Sequence, residues 1–367
     1  MSVVEVAAEV RGEVGFITLN RPKALNALSL DMIRALTEAL VAWRDDPKVK
    51  AVAVRGMGKE HPFGVFCVGG DIRFFHVAAH AGDKAALDAF FTEEYRLNHL
   101  IHTYPKPYVT FLDGIVMGGG MGISGHGGKN SLRIVTERTR MAMPETNIGL
   151  FPDVGGGWFL AHCCPGRIGD YLALTGESIG GADALFAGLA DVQVDSTQLP
   201  ALWEGLASDG VAALQSLPSR DAMKSIAADA VPARLAGQID SKFAAGGVPQ
   251  VLQALESGDS DWSRHTAAVL RKRSPLMLFV VQEQLRRARA MTLAEDLRME
   301  RDMVHHCFWL RPGAASETVE GIRALVIDKD QQPKWNPARI EDVTPAMVDA
   351  FFASPWAPQD HPLRELA

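Results

Sequence analysis

The sequence is short of cysteine, of long apolar runs and of positive charge, and each shortage closes off a class of protein. Cysteine occurs four times in 367 residues, at Cys67, Cys163, Cys164 and Cys307. Four thiols, two of them adjacent, build no disulfide framework, and without a C-x-x-C pair no structural zinc site is expected. A reducing cytosol fits this usage. The first residues, MSVVEVAAEVRGEV, read as neither a signal nor a transit peptide, so a cytoplasmic location is expected. No window reaches the ~18 consecutive apolar residues of a membrane-spanning helix, and no membrane partner is expected. The formal net charge of −7 argues against a nucleic-acid partner, which calls for a basic face. A small anionic ligand held by a few local cations stays compatible with it.

At 47% hydrophobic and 22% charged residues, the chain has enough apolar material for a substantial core. Gly15–Leu19 (GFITL), Lys50–Arg55 (KAVAVR), Tyr108–Leu112 (YVTFL) and Leu132–Val135 (LRIV) read as strands. Ser29 reads as the N-cap of a helix with Ile33, Leu36, Leu40 and Trp43 on its apolar face. Strands alternating with helices give an α/β class. The residues show no internal repeat. After about residue 200 the pattern turns helical. Ser274-Pro275 reads as a cap and first helical residue, and Thr292 to Glu295 as a capping box. The polar stretch 328–337 reads as a tail. A boundary is expected near 200, separating 1–200, which carries the active site, from a helical region 201–367.

Two stretches place glycines where a strand hands over to a helix, at 66–72 (FCVGGDI) and 114–122 (GIVMGGGMG). Such turns let backbone N–H groups point at an anion or a developing oxyanion, although tight packing also explains them. Gly120-x-Gly122-x-x-Gly125 matches the dinucleotide fingerprint, but the next strand begins too soon for a crossover helix, so no NAD site is expected. Ser124 lacks the second glycine of a nucleophile elbow, because His126 stands there, and it reads as a helix residue. His76 and His80 lack a metalloprotease glutamate. His305-His306 has no evident metal-ligand partner. Glu145 and Asp153 lie among prolines and glycines, in 143–157 (MPETNIGLFPDVGGG), and are expected on loops. Paired carboxylates divide acid and base work. Equally, Glu145 could cap a turn and Asp153 the helix starting near Gly155.

Taken together and in order, 19–28 (LNRPKALNAL), FCVGGDI, GIVMGGGMG and MPETNIGLFPDVGGG resemble the crotonase, or enoyl-CoA hydratase/isomerase, superfamily. The resemblance implies a spiral of ββα turns followed by a helical C-terminal region, and a coenzyme A thioester as substrate. It implies an oxyanion hole at the N–H groups of Gly70 and Gly119. One departure is informative: where hydratases carry a second catalytic glutamate, this chain has Gly122. With Asp153 beside three glycines, and with the tail residues 320–324 and 328–335, the chain is similar to the branch that hydrolyses short 3-hydroxyacyl-CoA thioesters. That likeness implies 3-hydroxyisobutyryl-CoA, an intermediate of valine degradation, as substrate, with Glu145 and Asp153 catalytic. It places Glu94, Gly119, Glu145 and Asp153 around the substrate, although Glu94 could equally be a solvated helix charge. Arg21, Lys23 and Arg73 flank the matched stretches and are candidates for the CoA phosphates. No metal and no cofactor beyond the substrate's own CoA is expected. A homo-oligomer is compatible with the resemblance. A hydratase or isomerase working with Glu145 alone is one alternative, and a non-catalytic acyl-CoA-binding subunit is another.

Overall fold

The computed structural model of the chain describes residues 4–367, so the first three residues of the stretch expected to carry no leader lie outside it. In chain order the strands are β1 (Val6–Arg11), β2 (Val14–Leu19), β3 (Ala51–Gly56), β4 (Val65–Cys67), β5 (Tyr108–Leu112), β6 (Ile115–Met117), β7 (Ser131–Val135), β8 (Arg140–Ala142) and β9 (Val192–Gln193). They form two sheets, one ordered β1-β2-β3-β5-β7-β9 and one ordered β4-β6-β8. β1 and β2 pair antiparallel, and every other pairing is parallel. Three times in succession a strand of the larger sheet is followed by one of the smaller: β3 then β4, β5 then β6, β7 then β8. That is the expected spiral, repeated in geometry without any repeat in sequence. β2 and β5 are buried along their whole length, which is why parallel strands read as unbroken apolar runs.

The chain packs as two compact units, each assembled from three stretches of sequence. One comprises Met1–Gly70, Arg96–Ala142 and Ser178–Arg234, and holds both sheets. The other comprises Asp71–Tyr95, Met143–Glu177 and Leu235–Ala367. These units differ from a division at residue 200. The stretches 71–95 and 143–177 pack with the late helices because their own buried faces have partners there. Phe75 meets Phe90 edge to face (4.8 Å between ring centroids) and Phe91 at a tilt (4.9 Å), and Phe91 lies 5.7 Å from Phe308.

In the sheet-bearing unit the helix Leu199–Asp209 drives Trp203 into the core. Its ring lies 4.7 Å from Phe16 and 5.3 Å from Phe111, with the Arg55 guanidinium 4.2 Å over it. Asn26 ties the early turn to this unit. Its Nδ2 donates to the carbonyls of Met57 (3.0 Å), Val65 (2.9 Å) and Phe66 (3.1 Å), while its Oδ1 accepts from Arg21 N–H (2.9 Å). The expected caps form. Ser29 accepts from Met32 N–H, Ser274 from Met277 N–H, and Thr292 and Glu295 complete a reciprocal box. Trp203→Ala is expected to lower unfolding stability by about 3–5 kcal/mol, read as a fall in the denaturation midpoint. A loss under 1 kcal/mol would mean that Trp203 does not anchor this core.

Candidate active site

In the sheet-bearing unit the two glycine turns come together. Gly69, with φ +107°, leads into Gly70, which bridges to Leu28. A Cβ built on Gly69 would meet Met117 O at 3.1 Å and Gly119 N at 3.3 Å, a tight approach, and the positive φ itself favours glycine here. Gly119 is the first residue of a four-residue helix, Gly119–Gly122, and its N–H has no partner inside that helix. Among the described residues, neither the Gly70 nor the Gly119 N–H donates to an acceptor. The segment between β6 and β7 holds only this short helix, so a dinucleotide crossover is absent there. Ser124 lies just past the helix in a turn rather than within it, its hydroxyl given to Met121 O (2.6 Å).

In the helical unit three carboxyls share one buried region. Glu94 sits on the helix Lys84–His102, Glu145 opens the 3-10 turn Glu145–Ile148, and Asp153 precedes the helix Gly156–His162. All are buried, at 2%, 5% and 6% exposure, which removes the reading of Glu94 as a solvated charge. The Tyr95 hydroxyl donates to Asp153 Oδ2 at 2.9 Å. Glu145 Oε2 and Glu94 Oε1 are buried without a hydrogen-bond partner among the described residues. Burial, then the Asp153 charge, raises the proton affinity of Glu94 well above the ordinary carboxylate range. Burial and the Asp153 charge do the same for Glu145, with a smaller contribution from Glu94. Burial pushes Asp153 up to about 7, against the Tyr95 hydrogen bond that favours its charged form. Three carboxyls this close cannot all ionise near neutral pH. They therefore hold protons and charge together, which suits acid and base roles in one place.

The local folds that aim these groups are explicit. The Glu145 turn is pinned by Leu150 N–H on Glu145 O (3.0 Å) and by the Thr146 hydroxyl on Leu174 O (3.3 Å). Asp153 does not cap the helix that follows, although sequence left that open. Glu300 takes the N–H of Gly155 (2.7 Å) and Gly157 (3.0 Å), and Asp296 takes that of Trp158 (3.0 Å). Both acids lie on the helix Leu293–Trp309 and are fully buried. Sequence reading missed them. A signal was present, since they fall four apart on the same stripe as Leu293, Leu297 and Val304. Arg301, 1% exposed, fixes the level of this helix by donating to Thr92 Oγ1 (3.0 Å) and pairing with Asp88.

The three candidate cations differ. Arg21 is engaged with Glu5 (3.3 Å) and the Ala27 carbonyl (3.0 Å), where it supports its own turn. Lys23 and Arg73 are exposed and form no ion pair among the described residues. Also among the described residues, no group of three or more His, Cys, Asp or Glu side chains is arranged to hold a metal ion, and no helix is long and apolar enough to cross a membrane.

Residues 14–352 match the family described as Enoyl-CoA hydratase/isomerase. The chain is similar to the protein named 3-hydroxyisobutyryl-CoA hydrolase, mitochondrial, of Xenopus tropicalis, with 42% identity over 94% of this chain and 87% of that one. It is 39% identical to the protein of that name from Homo sapiens, over 95% of this chain and 89% of that one. These relatives are named as mitochondrial, which overturns the expected cytoplasmic location. Among solved structures it resembles an enoyl-CoA hydratase from Rhodobacter sphaeroides 2.4.1, with a TM-score of 0.86 and 36% identity over 96% of this chain and 98% of that one. It also resembles a carnitinyl-CoA dehydratase from Mycobacterium thermoresistibile, with a TM-score of 0.83 and 38% identity over 95% of this chain and 96% of that one.

The raised Asp153 carboxyl carries a stability signature. Between its ordinary value of 3.8 and about 7, the folded chain holds this proton more tightly than the unfolded chain. Stability from this group is therefore full below the ordinary value, falls as pH rises towards 7, and is flat above it. Asp153→Asn is expected to match wild type near pH 4 in thermal unfolding. Its advantage should then grow up to about pH 7 and reach about 4 kcal/mol at most, since each tenfold change in proton affinity is worth ~1.4 kcal/mol. An advantage that shrank with rising pH would contradict the assignment.

Proposed function

The chain belongs to the enoyl-CoA hydratase/isomerase family, and from that premise we propose that it hydrolyses the thioester of 3-hydroxyisobutyryl-CoA to the free hydroxy acid and coenzyme A, as a step of valine degradation. The substrate follows from relatives of that name at about 40% identity over nearly the whole chain. The observation that carries the chemistry is Glu145, a buried carboxyl with one oxygen unpartnered among the described residues and Asp153 as its charged neighbour.

In this reading the N–H groups of Gly70 and Gly119 receive the thioester oxygen. One such donor contributes ~2.7–4 kcal/mol to the transition state. Glu145 makes the attack, either directly, giving a mixed anhydride that water opens, or by taking a proton from water. On either route the carbon–sulfur bond breaks and the departing thiolate receives a proton. Asp153 orients the substrate hydroxyl and exchanges protons with Glu145, and Glu94 lines the acyl site. Coenzyme A arrives as part of the substrate, and the chemistry calls on no further cofactor. Lys23 and Arg73, being exposed and unpaired, are the cations proposed to meet its phosphates, while Arg21 supports the turn that carries Lys23.

A hydratase reading is favoured by one observation, the names of the two solved structures that match nearly full length. Gly122 weighs against it, since no second carboxylate stands at that position of the central turn to place a water. Thiol titration separates the two. The folded chain is expected to release free thiol from 3-hydroxyisobutyryl-CoA, and to leave the enoyl absorbance of crotonyl-CoA unchanged. Loss of that absorbance without thiol would replace hydrolysis by hydration. Glu145→Gln is expected to lower kcat about 10³-fold, within the range for a lost acid–base or nucleophilic group. Thiol release at the wild-type rate by this variant would remove Glu145 from the mechanism.

A further inference from the structure

The turn that presents Asp153 is strained and is held from outside. Val154 has φ +56°, a left-handed conformation that a β-branched residue adopts at a cost, and Gly155 follows at φ +84°. The N-cap of the helix that follows is Gly155, which has no side chain to accept from the helix's free N–H groups, so those donors need an acceptor from elsewhere. The Asp153 backbone carbonyl takes Gly156 N–H (2.7 Å), but its carboxyl takes none of them. Glu300 occupies those donors instead, with Oε2 on Gly155 N–H at 2.7 Å and Oε1 on Gly157 N–H at 3.0 Å. Gln284 Nε2 braces the arrangement, donating to Glu300 Oε1 (3.1 Å) and to the Pro152 carbonyl (2.7 Å), so both sides of Asp153 are fixed.

We propose that Glu300 is a positioning residue for Asp153: by taking the N–H groups at the head of the helix, it holds the strained turn and leaves the Asp153 carboxyl free of helix capping for the reaction. The inference rests on the reading of Asp153 as part of the hydrolytic site. Glu300 touches no reacting atom in this scheme and acts only through Asp153. Its effect on turnover must therefore vanish when Asp153 is already disabled, whereas a merely structural role costs the same in either background.

The test is a double-mutant cycle in the full chain, with Glu300→Gln and Asp153→Asn measured singly and together for thiol release from 3-hydroxyisobutyryl-CoA. Glu300→Gln alone is expected to lower kcat 10- to 100-fold with KM within threefold of wild type. In the Asp153→Asn background it is expected to change kcat less than twofold. Equal losses in both backgrounds, or a single variant within twofold of wild-type kcat, would overturn the proposal. If Glu300→Gln does not fold, Glu300→Asp takes its place in the same cycle, since it keeps a carboxylate but withdraws it by one methylene. Failure of both variants to fold assigns Glu300 a structural role and overturns the proposal as well. Wild-type thiol release reports separately on the hydrolase reading. If wild type instead hydrates crotonyl-CoA, that reading fails and the cycle is scored on hydration. Inactivity on both substrates overturns the reading and the proposal together.

Discussion

Burying several carboxyl groups side by side is the constraint around which the helical unit is organised. A lone buried carboxylate costs several kcal/mol unless it finds donors or a proton. Glu94, Glu145 and Asp153 find few donors, and so they hold protons that an exposed acid would have lost. The cost is tolerated because the neighbouring groups are firmly fixed. The aromatic cluster of Phe75, Phe90, Phe91 and Phe308 and the buried Arg301 set how the helices meet. Glu300, also buried, has both oxygens on backbone N–H groups of the turn it holds, and Asp296 has one oxygen on the Trp158 N–H. One set of acids is thus spent on structure, and the other is left chemically available.

What could be read from sequence followed the range of the signals. Ser29, Ser274 and the Thr292–Glu295 box act within four residues, and their caps form as their residue types dictate. The central strands are buried on both faces, so they stood out as apolar runs. β4, β6 and β8 have three residues each, too few for any period to register, and the spiral they complete was accessible only through family likeness. β1 escaped because four of its six residues are exposed.

The candidate site divides in the same way. Glycine turns and loop carboxylates stand out by composition, but only the family likeness singles out Gly70 and Gly119 among the glycines and favours a chemical role for Glu145 and Asp153 over a capping one. Their supports do not stand out, because Glu300 meets Gly155 across 145 residues of chain. The pairing of unit and sequence was hidden for the same reason. Helical segments early in the chain complete a unit with helices near its end, and no local pattern encodes that.

The LNRPKALNAL stretch is one of the segments that carry the family likeness in this chain, and Asn26 shows one use of it. One amide fastens three carbonyls from two other parts of the chain, while its oxygen closes its own turn. Nothing in that work involves turnover. At Asn26 the signature thus marks a shared scaffold rather than chemistry. A descendant that had lost every reactive carboxylate would still need this fastener to fold, and so would still be recognised by it. Sorting active members of such a lineage from silent ones therefore falls to other residues, chiefly the few buried acids of the helical unit.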